Sequence, residues 1–91
     1  MFEKGNKKGT VRFAVRPPNG ARKVRLAGDF NQWRPLPMRR QKNGCFVSVL
    51  PLPAGTYEYK FVFDDQWGVD PDNHSYSLNP YGTLNSVVTV A

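Results

Sequence analysis

From Thr10 onward, hydrophobic and polar residues alternate with a period of two, not the 3.6 of an amphipathic helix. Val11, Phe13 and Val15 share one face of a strand over Thr10 to Arg16, with Arg12 and Arg16 on the other. Pro17-Pro18-Asn19-Gly20 then turns the chain, and Lys23 to Ala27 alternates again with Val24 and Leu26 inward. The run GDFNQW at 28–33 breaks the pattern. Pro35 and Pro37 allow only a short edge segment through Met38 to Arg40, because proline has no N–H for a sheet ladder.

Asn43-Gly44 predicts a hairpin leading into a strand over Cys45 to Leu50, and Pro53-Ala54-Gly55 makes the next turn. Thr56 to Asp64 is the clearest strand. Tyr57, Tyr59, Phe61 and Phe63 fall on one face and predict core, whereas Glu58, Lys60 and Val62 face the other way. Residues 68–83, rich in Gly, Asp, Asn, Pro and Ser, read as a long loop, and Leu84 to Val90 closes the chain as a strand. No helix is predicted. About seven short strands at near-regular spacing describe an all-β, immunoglobulin-like sandwich.

Ninety-one residues hold one hydrophobic core, so residues 10–91 are expected to form a single domain behind a flexible lead-in at 1–9. Apolar residues make up 40% of the chain, too many for a disordered tail. No run approaches the roughly 20 apolar residues of a bilayer span, and MFEKGNKKGT carries charge with no apolar run behind it, so neither membrane nor secretory signal is expected. A lone Cys45 fits a reducing compartment, which points to the cytoplasm. The net charge of +6 is lopsided: residues 1–42 carry twelve of the thirteen Lys/Arg and only Glu3 and Asp29 as acids, for +10, and residues 43–91 carry −4. That basic half either keeps a small domain soluble or meets a polyanion.

Catalytic chemistry finds little purchase. His74 is the only histidine, which leaves no His pair and no His/Cys metal set, and Ser75 and Ser77 beside it lack an elbow or oxyanion signature. Asp64, Asp65, Asp70 and Asp72 do not follow the calcium-loop spacing and suit turn chemistry. Phosphate-cradling glycine patterns are absent, and neither a cofactor nor a metal is expected. Nucleic acid would need aromatics in a basic groove; here alternation spends most aromatics on the core, and Trp67 lies in a different segment from the basic residues.

Three segments change the picture: VRLAGDFNQWRPLPM at 24–38, GTYEYKFVFDDQWGVDP at 55–71 and NPYGTLNSVVTV at 79–90. In order and spacing they resemble the glycogen-binding modules of AMP-activated protein kinase β-subunits, in carbohydrate-binding module family 48. The same family of modules precedes the catalytic barrels of branching and debranching enzymes. The resemblance implies an early-set sandwich and non-catalytic binding of an α-1,4-linked glucan, as polysaccharide or maltooligosaccharide, targeting the module or a protein partner to the polymer. It places the binding tryptophans on Trp33 and Trp67, the lysine on Lys60, and the last loop's threonine and asparagine on Thr83 and Asn85. Phe30 matches a packing position and Asn31 a loop-shaping one.

Each assignment has a plainer counterpart. Trp33 and Trp67 can be lids over the sandwich, Asn85 can cap a turn, and Lys60 can pair with Glu58 or Asp65. Two departures from the family pattern stand out. Asp64-Asp65 replaces Asp-Gly before Gln66-Trp67, and Tyr81 replaces a leucine before Gly82-Thr83, where it either adds a stacking surface or flattens the groove. Two other functions compete: a module without sugar binding that serves as an interaction or spacer domain, and a nucleic-acid binder using the basic half.

Overall fold

The computed structural model describes residues 2–18 and 20–91, so the part of the expected Pro17–Gly20 turn that falls on Asn19 lies outside the described residues, as does Met1. Among the described residues ten strands form two antiparallel sheets packed face to face. The smaller sheet has the order β1 (Phe2–Lys4), β2 (Thr10–Val15), β6 (Phe46–Pro51), β5 (Arg39–Arg40). The larger runs β4 (Leu36–Pro37), β3 (Val24–Gly28), β7 (Gly55–Phe63), β10 (Leu84–Val90), β9 (Tyr76–Leu78), and β8 (Gln66–Gly68) folds back on β7. This is the immunoglobulin-like sandwich that the alternation predicts.

The alternating residues fill the space between the sheets. Val11, Phe13 and Val15 of β2 meet Leu26 of β3, Tyr59 and Phe61 of β7 and Val88 of β10, all buried. Phe13 is the hinge pin of this core: its ring lies 5.1 Å from Tyr59, edge to face, and 5.5 Å from Phe30. Phe30 packs partly buried against the core, in keeping with the packing position the resemblance assigns it. Tyr57 and Phe63, at the ends of β7, are partly buried where the sandwich opens.

Differences from the expected elements have local causes. Within the segment expected as a flexible lead-in, Phe2–Lys4 form β1, because Phe2 packs on the core margin and Glu3 sits 2.9 Å from Arg12 of β2. The proline-bounded segment splits in two: Leu36–Pro37 edges one sheet, Arg39–Arg40 edges the other, and buried Met38 crosses between, its N–H donating to the Val24 carbonyl at 2.9 Å. The 68–83 stretch contains β9, which pairs with β10 despite its loop-like composition. A single 3-10 turn, Asp29–Asn31, interrupts the all-β plan.

A buried polar cluster pins the β8–β9 connection. The Tyr59 hydroxyl donates to Asp70 Oδ2 at 2.7 Å and accepts from Asn73 Nδ2 at 3.0 Å, while the Asp70 N–H donates to Ser86 Oγ at 2.8 Å. Burial, reinforced by the Asp70 carboxylate, pushes the Tyr59 phenol well above the usual tyrosine range. Because the folded state holds this phenol protonated, its contribution is intact at neutral pH and declines as pH rises past the unfolded value of about 10. Tyr59→Phe takes a donor from a buried carboxylate oxygen and is expected to cost about 1–3 kcal/mol by denaturant melts at pH 7, with a shallower alkaline loss of stability than wild type. Phe13→Ala is expected to cost about 3–5 kcal/mol, enough to leave a domain of this size largely unfolded on warming.

Candidate functional site

The outer face of the larger sheet carries a groove of about 600 Å³ whose walls come from the loop after β3, strand β8 and the loop at 79–83, and whose floor is β7 and β10. The first wall is the loop after β3. Gly28 is required there by close approach, since a Cβ would stand 2.7 Å from both the Glu58 carbonyl oxygen and the Phe30 ring. Asn31 then braces the loop, accepting from the Gly28 N–H at 3.0 Å and donating to the Leu26 carbonyl at 3.1 Å, the shaping role the resemblance implies. Gln32 and Trp33 both take left-handed backbone (φ 55° and 58°), a conformation that costs on the order of 1–3 kcal/mol per non-glycine residue. The Trp33 N–H closes the loop on the Gly28 carbonyl at 3.0 Å.

Asp29 fixes the indole. Its Oδ1 accepts from Trp33 Nε1 at 3.0 Å, and its Oδ2 accepts from the Glu58 backbone N–H of β7 at 2.8 Å. One carboxylate thus ties the loop to the floor and sets the ring's edge, leaving Trp33 half-buried with a face on the groove.

Trp67 stands on the opposite side, on β8, and is 50% exposed. It sits directly across from Val62 in the β7–β8 register, and Val62 is buried although it lies on the outer face of β7. The turn that places Trp67 depends on Asp64, which is itself the left-handed residue (φ 54°). Its Oδ1 accepts from the backbone N–H groups of Arg22 and Lys23, at 3.1 Å each. Asp65, standing where a glycine was expected to be needed, keeps ordinary negative φ. The geometric burden falls one residue earlier than the pattern suggested, on a side chain that hydrogen-bonds the adjoining β2–β3 connection.

The third wall, residues 79–83, is organised by Asn79. Its Oδ1 accepts from the N–H groups of Tyr81 (3.0 Å) and Thr83 (3.1 Å), and Gly82 supplies the left-handed turn at φ 82°. Asn79 Nδ2 donates to Thr83 Oγ1 at 2.6 Å and to Asn85 Oδ1 at 3.1 Å. Lys60 Nζ reaches the same Thr83 hydroxyl at 3.0 Å, and Asn85 Nδ2 donates to Glu58 Oε1 at 3.0 Å. A continuous polar chain therefore crosses the floor from Lys60 through Thr83, Asn79 and Asn85 to Glu58.

Trp33, Lys60, Trp67, Tyr81, Thr83 and Asn85 all line this one groove. The two tryptophans, thirty-four residues apart in sequence, face a common opening. Lys60 bonds Thr83, not Glu58 or Asp65. Asn85 is only 6% exposed and spends part of its amide on Glu58 and Asn79 instead of capping a turn. Tyr81, at 91% exposure, projects into solvent and does not flatten the groove. Sequence reasoning missed Asp29, Glu58, Leu78 and Asn79. The alternation of β7 puts Glu58 beside Lys60 and so contained a signal for it; the role of Asn79 depends on a loop shape that no periodicity encodes.

The remaining candidates are structural. Asp64 and Asp70 serve turn and core, His74 lies edge-on to Tyr76 at 6.5 Å, and no cluster of metal-ligating side chains occurs among the described residues. No helix among them is long and apolar enough to cross a membrane.

Fold and groove together define a β-sandwich recognition module with an aromatic-rimmed site on one sheet. The family described as the glycogen recognition site of AMP-activated protein kinase matches residues 11–91, and the chain belongs to it. It is 41% identical over 71 residues to the β-1 subunit of 5'-AMP-activated protein kinase from Sus scrofa, an alignment covering 78% of this chain and 57% of that protein. To the β-2 subunit from Mus musculus it is 35% identical over 77 residues, covering 84% of this chain and 28% of that one. The chain thus spans only part of the relatives it matches. A solved maltogenic amylase from S. marinus shares the fold over the whole chain with a TM-score of 0.78 at 24% identity, corresponding to 16% of the amylase.

The Asp29 bridge yields a direct expectation. Asp29→Ala is expected to cost about 1–3 kcal/mol in thermal melts. In a Trp67→Phe background it is also expected to lower the steady-state fluorescence anisotropy of Trp33, because the indole loses its only described hydrogen-bond anchor.

Proposed function

We propose that the module binds α-1,4-linked glucan, glycogen or starch or their maltooligosaccharides, without catalysing its hydrolysis, and so localises itself or a protein partner on the polymer. The observation that carries this is that Trp33 and Trp67 line one groove whose floor is made of hydrogen-bonding side chains. A pyranose presents an apolar face of C–H groups suited to an aromatic ring and a belt of hydroxyls at its edge. Two indoles on different walls, with Tyr81 beyond them, suit a chain that curves as an α-1,4-glucan does.

The floor supplies the polar half. Thr83 Oγ1 already accepts from Lys60 and Asn79, so its own O–H points its donor capacity outward. Lys60 spends one of three N–H donors on it, and Asn85 offers the N–H and lone pair left over from Glu58 and Asn79. The open, partly wet groove supports affinities on the order of micromolar to millimolar, about −8 to −4 kcal/mol. The single Cys45 accords with action in a reducing compartment such as the cytoplasm.

The test is retention on native gels containing glycogen. Wild type is expected to be retarded, Trp33→Ala and Trp67→Ala to run at least about tenfold less retained, and Thr83→Ala to lose a smaller share, about threefold. Retention is expected to change little with salt, because the ligand is neutral. A folded wild type that is not slowed at all would leave the module as an interaction or spacer domain instead.

A further inference from the structure

The smaller sheet carries a second groove, of about 930 Å³, on the side of the sandwich facing away from the first. Lys7, Arg12, Arg39, Arg40 and Lys42 line it, and no carboxylate does. Of these, Arg12 is engaged by Glu3 at 2.9 Å, while Lys7, Arg39, Arg40 and Lys42 are exposed. The floor is apolar, formed by Val47 and by Val49, which is 52% exposed. The neighbouring basic hollow that shares Arg40 and Pro37 also contains Asp64 and Asp65, so its field is mixed.

We propose that this groove docks an extended, acidic segment of a partner protein. Four exposed cations converging on a site with no carboxylate of its own favour an anionic occupant. The shape selects among anions. No aromatic side chain lines the groove for base stacking, which disfavours single-stranded nucleic acid. The edge of the sheet at β5 is only two residues long and both are arginines, a composition that repels a second copy of the same edge and accepts a carboxylate-bearing strand. An extended segment alternating acidic and apolar residues would lay its apolar face on Val47 and Val49 and turn its carboxylates toward the rim, where the long side chains of Lys7, Arg39 and Lys42 reach over to meet them. The site is independent of what the aromatic groove binds, because the two lie on different sheets.

The test is fluorescence anisotropy of a labelled synthetic peptide alternating glutamate and valine, with a single-stranded oligonucleotide of matched charge as the competing probe. Wild type is expected to bind the peptide saturably, more tightly than the oligonucleotide, with affinity falling as salt rises. Arg39→Glu and Lys42→Glu are each expected to weaken the peptide about five- to tenfold. Arg34→Glu changes the net charge equally but lies outside this groove, and is expected to stay within about twofold of wild type. Thermal melts of all three variants check folding, and Lys42 lies in the exposed β5–β6 turn where reversal spares the core. Absence of saturable peptide binding, equal loss in Arg34→Glu, or tighter binding of the oligonucleotide would overturn the proposal.

Discussion

The two faces of β7 bind core and groove into one object. Tyr57, Tyr59, Phe61 and Phe63 point inward from it, and Glu58 and Lys60 point outward to the groove floor. Pairing with β10 over Gly55–Tyr59 and with β3 over Tyr59–Phe63 holds the strand in register, the two ladders meeting at Tyr59. Since successive side chains must leave a strand on opposite sides, the aromatic packing that fixes the inward set also fixes the outward set. The placement of Lys60 and Asn85 on the same outer face therefore follows from inward packing together with the β7–β10 ladder, without any side-chain polar contact being required.

The walls obey a different economy. Around Trp33 the chain tolerates two left-handed non-glycine residues in succession, offset by the Asn31 brace, the Trp33 backbone bond to Gly28 and the Asp29 bridge. Around residues 79–83 a single side-chain amide, Asn79, answers two backbone N–H groups and then hands its own N–H groups to Thr83 and Asn85. Hydrogen bonds brace the backbone of both walls, and on the first wall the Asp29 bond also holds the Trp33 indole before any ligand arrives. Such preorganisation lessens the ordering cost of binding on an open surface, where little area is buried.

How much of this could be read from the residues divides along the same line. Alternation over β2, β3 and β7 revealed the sandwich and its core because period two has a single physical meaning when one face is buried. The short strands escaped. Phe2–Lys4 hid in a lysine-rich context, Gln66–Gly68 is too brief to alternate, and Tyr76–Leu78 sits among turn-forming residues. Of the six candidate site residues, five came from resemblance and Tyr81 from a departure from it, not from periodicity, and their common location in one groove emerged only from tertiary structure. Asp29 illustrates why: its two bonds link residues four and twenty-nine positions away, and nothing in a linear pattern signals that one carboxylate serves both.

The shared dependence of core and floor on β7 limits how such a module can diversify. A one-residue insertion or deletion within Gly55–Phe63 would exchange the two faces at once, sending tyrosines to solvent and a lysine to the interior. The strand is open to substitution but closed to changes of length. The Gly28–Trp33 and Asn79–Thr83 loops answer to anchors instead of parity: Phe30 packs against Phe13, Asp29 accepts from the Glu58 N–H, and Asn79 holds Thr83 and Asn85, so a length change that keeps these contacts reshapes the rim while the floor stays put. A lineage built on this sandwich can vary the depth and reach of its groove by indels that leave those anchors in place, whereas the polar floor drifts only one side chain at a time.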